Sequence, residues 1–342
     1  MTTMAAAVLR DVGILAIETR PEPALAAATD VIVRVQACGV CGTDLHILSD
    51  PPGYPAQQGV ILGHEIVGEI AATGTAVTTL EVGDRVAVRP ILTCGVCSAC
   101  MAGIPNHCGK RLDLGVWQDG GLAERLAVPA SACIKISKKL PLPIAALTEP
   151  LACVVNAVHR VRPAAGERAV VFGAGAIGLL FTAVLKASGV ATVAVVEISA
   201  ERAEAALAIG ADAVINPRAE SLPDTVAQLM DAGPDIVIDA VGSQFGAAVD
   251  IAGRRARVLL FGLNEHARPE VPQAQITLKE LDILGSFVGQ HTFPDAVRLL
   301  ESGLLDLSPI VSHQVPLENI VDLLPQLRAG KVIKAVVTIS ER

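Results

Sequence analysis

The chain has 342 residues, enough for two domains of ordinary size with a core each. With 51% hydrophobic and 18% charged residues, it is excluded from the disordered class. A formal net charge of −8, with no Lys/Arg run against it, excludes the electrostatic footprint of a nucleic-acid binder. Aromatics are scarce, so Ala, Val, Leu and Ile must fill the cores.

Residues 1–7 lack a basic region and run into Arg10 and Asp11, so no secretory signal is expected. The first 150 residues are rich in Gly, Pro and Cys, with short strands predicted over 31–36 and 85–88. That composition reads as an irregular, β-rich domain. From residue 169 the pattern changes. Strands over 169–172, 193–197, 213–215, 236–239 and 258–261 alternate with helices over 177–187, 200–209 and 225–230. Buried strands alternating with helices predict an α/β, doubly wound parallel sheet. Residues 169–185 are the longest apolar stretch, but three glycines divide them into strand, turn and helix rather than a membrane span. Amphipathic helices over 293–302 and 317–329 and a strand over 333–339 close the chain. The expected division is a first domain of 1–150 with 290–342, and a second of 151–289. A soluble cytoplasmic protein follows, in a reducing compartment where eight cysteines suggest metal rather than disulfides.

Cys94, Cys97, Cys100 and Cys108 are spaced C-x2-C-x2-C-x7-C. Four thiolates on one short lobe can close a tetrahedron around Zn²⁺ and leave no position for substrate, so this zinc is structural. An iron–sulfur cluster or a redox pair are the competing readings. Cys38, Cys133 and Cys153 read as small buried residues.

Cys41 sits elsewhere, in Gly39-Val-Cys41-Gly-Thr43-Asp-Leu-His46, and is followed by Gly63-His64-Glu65 and Thr148-Glu149-Pro150. A catalytic zinc needs about three mixed ligands and an open position. Cys41, His64 and one of Glu65 or Glu149 would supply them. Singly, His64 reads as a structural histidine and Glu149 as a first-turn helix acid.

In that order, with Gly83-Asp-Arg-Val86 and the four-cysteine lobe, these motifs resemble the zinc-containing medium-chain dehydrogenase/reductases over nearly the whole chain. The resemblance implies a GroES-like catalytic domain, a Rossmann domain and an active site in the cleft between them. It also implies dimers or tetramers, with residues 283–288 as a candidate sheet edge for pairing. Alcohol dehydrogenases of the family usually have cysteine at the position of Glu149, whereas sorbitol dehydrogenase and its relatives have glutamate. The expected ligands are therefore Cys41, His64 and Glu65, with Glu149 joining through water or by exchange with Glu65.

Gly173-Ala-Gly175-Ala176-Ile177-Gly178 follows a predicted strand and opens a helix, with Glu197 at the end of the next strand. In that context the glycines allow pyrophosphate to approach a helix N-terminus, and Glu197 meets the ribose hydroxyls and repels a 2′-phosphate. NAD is expected. By resemblance, Lys334 touches the cofactor phosphates, and Thr43 passes the substrate's proton through a ribose hydroxyl to His46. Zinc would lower the substrate hydroxyl's pKa to about 7 before hydride leaves for the nicotinamide.

The expected reaction oxidises a secondary alcohol to a ketone, the substrate being a polyol, sugar alcohol or cyclitol. Leu48, Tyr54, Trp117 and Phe287 are candidates to line the pocket. Val288 stands where sorbitol dehydrogenases tend to carry an arginine, which leaves simpler diols open. L-Threonine dehydrogenases usually carry aspartate at the position of Glu149, and a non-catalytic NAD(H) sensor or a zinc-free quinone reductase would need none of the ligand residues.

Overall fold

A computed structural model describes residues 2–289 and 291–340. Met1, Gln290, Glu341 and Arg342 lie outside it, and with them the ends of the expected segment 290–342. The chain forms two compact units. One contains the residues up to Pro150, Phe293–Glu301 and those from Val311 onward; the other contains Leu151–Thr292 and Ser302–Ile310. Residues 291–292 and 302–310 were expected in the first domain. They belong instead to the second unit, where Leu307 and Ile310 are buried and Ser308–Ile310 packs on helices Ala176–Ala187 and Ala200–Ala208.

In the first unit, strand Asp30–Val40 is the spine of a seven-stranded sheet, flanked by Ala335–Thr338, Glu65–Thr73 and Arg125–Pro129. Val31, Val33 and Val35 face one apolar core, as alternation requires. The register shifts between Val35 and Ala37, so Ala37 faces the opposite core with Val67, Ala87 and Val336, while Cys38 and Val40 return to the first. A bulge of this kind re-aims the end of a strand. The three strands then converge: Gly39 lies opposite Glu65, and Ala335 opposite Val40.

In the second unit six parallel strands are ordered Ala213–Ile215, Thr192–Val196, Arg168–Phe172, Ile236–Asp239, Arg257–Leu260 and Asp282–Gly285. Order reverses beside Arg168–Phe172, so the carboxyl ends of that strand and of Ile236–Asp239 form the switch point where such sheets bind ligands. Among the described residues, no helix is long and apolar enough to cross a membrane.

Candidate active site

The four lobe cysteines are all free, and their sulfurs form a compact cluster. The Cys94–Cys100, Cys97–Cys100, Cys97–Cys108 and Cys94–Cys108 separations are 4.0, 3.5, 3.8 and 3.6 Å. Four ligands at about 2.3 Å in a tetrahedron lie about 3.8 Å apart, so the observed edges match a closed zinc-thiolate site. A disulfide would need about 2.05 Å. The backbone N–H of Cys100 and its side chain hold the Cys97 thiol down to about 6, ready to ligate as thiolate.

The second site forms where the three strands converge. Cys41 follows the spine strand and caps the short helix Gly42–Ile47, whose Asp44 accepts the Cys41 N–H at 2.8 Å. Gly39 is required here: a Cβ on it would lie 1.9 Å from the Glu65 carboxylate. The ligating atoms of Cys41, His64 and Glu65 lie within 4.8 Å of one another. Two ligands of one zinc ion stand no more than about 4.6 Å apart, so small adjustments close the trio on a metal. Two buried atoms without hydrogen-bond partners support that fit: His64 Nδ1 and Asp44 Oδ1 face each other at 3.6 Å. A ligating histidine uses a carboxylate in this place to fix its ring. Burial alone would lower the pKa of His64, but Asp44 and Cys41 outweigh it and hold it well above the usual value.

Lys334 corrects the sequence reading. It was expected on cofactor phosphates; instead its buried ammonium is tied to the Glu65 carboxylate and donates to the Val40 carbonyl at 2.9 Å. Glu149 opens helix Thr148–Val161 outside the ligand trio, near enough to help keep Lys334 charged. Thr43 Oγ1 lies 3.8 Å from Cys41 Sγ, and His46 is exposed at the far end of the same helix.

The glycine-rich loop sits at the switch point. Gly173 has φ +90°, and a Cβ on Gly178 would lie 1.8 Å from the Gly173 carbonyl, so only glycine lets helix and loop approach so closely. A Cβ on Gly175 would meet nothing within 4 Å, which leaves open space where a pyrophosphate would lie, in front of Ala176 and Ile177 at the helix start. Glu197 is buried and accepts backbone N–H groups from Ala174 (2.8 Å), Ile198 (2.7 Å) and Ser199 (2.9 Å). Asp239 shapes the adjoining loop by accepting from Val241, Gly242 and Gln244. Sequence reasoning missed both Asp44 and Asp239. Asp44 is visible three residues after Cys41 as a capping acid, a signal that went unused.

The four expected pocket residues differ in their surroundings. Leu48 is 2% exposed within the first unit's core, so it is not a pocket residue. Tyr54 is half-buried against the same core and Trp117 is 40% exposed, while Phe287 belongs to the second unit.

Comparisons with known proteins agree with this arrangement. Residues 27–138 match the alcohol dehydrogenase GroES-like domain and 176–302 the zinc-binding dehydrogenase domain. A probable D-xylulose reductase A of Aspergillus terreus is 33% identical over 97% of both chains. A sorbitol dehydrogenase of Bombyx mori is 30% identical over 98% of this chain and 99% of its own. The crystal structure of an alcohol dehydrogenase of Escherichia coli CFT073, complexed with NADH, superposes with a TM-score of 0.92 at 32% identity, over 99% of this chain and 100% of that one. With a GroES-like unit, a Rossmann unit and two zinc-ligand clusters in one chain, the protein belongs to the zinc-containing medium-chain dehydrogenase family.

Proposed function

We propose that the protein oxidises a secondary alcohol of a polyol, a sugar alcohol or a cyclitol, to the ketone with NAD as hydride acceptor. The observation that carries this reading is the open ligand set of Cys41, His64 and Glu65, distinct from the closed four-thiolate lobe. Zinc bound there supplies Lewis acidity, which lowers the pKa of a substrate hydroxyl. Asp44 orients His64, and Lys334 holds the Glu65 carboxylate in place. Thr43, beside Cys41, would take the substrate's proton while passing its own hydroxyl proton on, and exposed His46 would release a proton to water. Glu149, in place of the cysteine of the alcohol dehydrogenases, favours a polyol, as do the relatives named for D-xylulose and sorbitol. Tyr54 and Trp117, in the unit that carries the zinc ligands, are the aromatic candidates there to contact the substrate. A non-catalytic NAD(H) sensor would have no use for the ligand set.

In the second unit, Gly173, Gly175, Ala176, Ile177 and Gly178 hold the pyrophosphate, and the carboxylate of Glu197 disfavours a 2′-phosphate. The exposed edge strand Asp282–Gly285 supports pairing of two copies, which light scattering would read as a dimer or tetramer. The eight free cysteines support a cytoplasmic location.

The test is a cofactor-reduction screen with NAD and NADP over sugar alcohols, cyclitols, diols and threonine, with and without chelator. The expected outcome is polyol-dependent NADH formation that chelator abolishes. Cys41→Ser should lose turnover and one equivalent of zinc while the fold survives. Full activity and full zinc content in that variant would overturn the assignment.

A further inference from the structure

Helix Thr148–Val161 is apolar and buried from Leu151 to Val158 except at Asn156, which is only 6% exposed. Asparagine is a poor helix former and its amide is costly to bury, so a partner must account for it. That partner is the segment after the edge strand Asp282–Gly285. Asn156 Nδ2 donates to the Val288 carbonyl at 2.6 Å and to Ser286 Oγ at 3.4 Å. A carbonyl can only accept, so Val288 fixes which way the amide faces. The helix meets the segment again at Ala152. A Cβ on Gly289 would lie 3.4 Å from it, and the Thr292 hydroxyl donates to its carbonyl at 2.7 Å. All of these residues belong to the second unit.

Val288 has φ +46°. Among the described residues, the other non-glycine residues with positive φ are Arg162, Arg255 and Glu280, so Val288 alone is β-branched. For such a side chain the left-handed region is disfavoured by about 5- to 100-fold, and it persists only where the surroundings hold it. The position of the segment gives that strain a use. The six strands are parallel, so Ser286–Gly289 leaves the sheet at the same end as the glycine loop after Phe172 and as Glu197 after Val196. The glycine loop stands at the switch point, and Glu197 lies to one side of it. Strands Ile236–Asp239, Arg257–Leu260 and Asp282–Gly285 form the other half of the sheet. A dinucleotide laid across a switch point sets its adenosine over one half and its nicotinamide over the other.

We propose that Asn156 is a positioning residue: by holding Val288 in the left-handed conformation, it sets Ser286–Gly289 for the nicotinamide half of the cofactor and takes no part in binding the adenosine half. The proposal rests on the NAD reading of this unit and extends it to the half beyond the glycine loop and Glu197.

The test titrates NADH, and ADP-ribose, which lacks the nicotinamide, by calorimetry. Wild type, Asn156→Leu and Asn156→Ser are used as zinc-loaded full chains, with melting temperature measured alongside. The expected result is NADH binding weakened about 5- to 50-fold in both variants, with ADP-ribose binding within about twofold of wild type. Adding Val288→Gly to either variant should recover part of the NADH affinity, because glycine adopts a positive φ without strain. The serine variant decides the matter if the leucine variant does not fold. Equal weakening of both ligands, unchanged NADH affinity, or no recovery on adding Val288→Gly overturns the role of Asn156 while leaving the NAD reading intact. A wild type that does not bind NADH overturns that reading and this proposal with it.

Discussion

A lysine and a glutamate buried together each give up several kcal/mol of hydration, repaid only by close pairing. Lys334 and Glu65 meet that condition: their side chains are 4% and 0% exposed, and burial's downward pull on the lysine pKa is outweighed by Glu65 and Cys41. Lys334→Met leaves the Glu65 charge without its partner and the Val40 carbonyl without its donor. In the zinc-free protein it should cost about 3–5 kcal/mol in urea unfolding, with a double variant that adds Glu65→Gln recovering part of the loss. A second outcome at this scale concerns His64. Its pKa in the zinc-free fold is raised, so the stability it contributes is full below the unfolded value of about 6.5 and is lost as pH rises through the folded value. Zinc needs the neutral ring and must displace that proton. Zinc uptake at this site should therefore release a proton near neutral pH and weaken on acidification, as calorimetry in buffers of different ionisation heat would read. Asp44→Asn should move the transition to lower pH.

At the scale of elements, the thiolate lobe differs from everything around it. Its helices, Ser98–Met101 and Pro105–His107, are four and three residues long. Its apolar side chains face solvent, with Val96 78% and Met101 75% exposed. Helices this short are not stable by themselves, and no apolar core underlies them, so the metal must hold the loop. Chelation should abolish amide hydrogen-exchange protection across residues 94–111 while strand Asp30–Val40, buried on both sides, stays protected. Equal loss in both would show that the zinc supports the whole unit.

Across the whole molecule, legibility in the sequence followed burial and distance along the chain. The parallel strands were readable because both faces are buried, which leaves near-continuous apolar runs such as Ala-Val-Val-Phe ending at Phe172. The lobe was readable because its four ligands lie within 15 consecutive positions. Lys334 was misread because its partner Glu65 lies 269 residues away, and nothing local distinguishes a buried cation from one facing a phosphate. The bulge after Val35 is invisible to periodicity, which assumes an unbroken alternation. Leu48 was misplaced because an apolar residue near a site has the same sequence signal whether it lines a pocket or fills a core. Residues 302–310 were misassigned because a short excursion between two segments of one unit carries no compositional boundary.

The carboxylate of Glu197 fastens the glycine loop through Ala174 and the next helix through Ile198 and Ser199. On the proposed reading, selectivity for the cofactor rests on the same side chain that holds the loop together. A lineage drifting towards a phosphorylated cofactor cannot exchange this residue alone without loosening its own grip. The accessible route would run through its neighbours first, with a new basic residue in positions 198–201 joining Arg202 before the acid is given up.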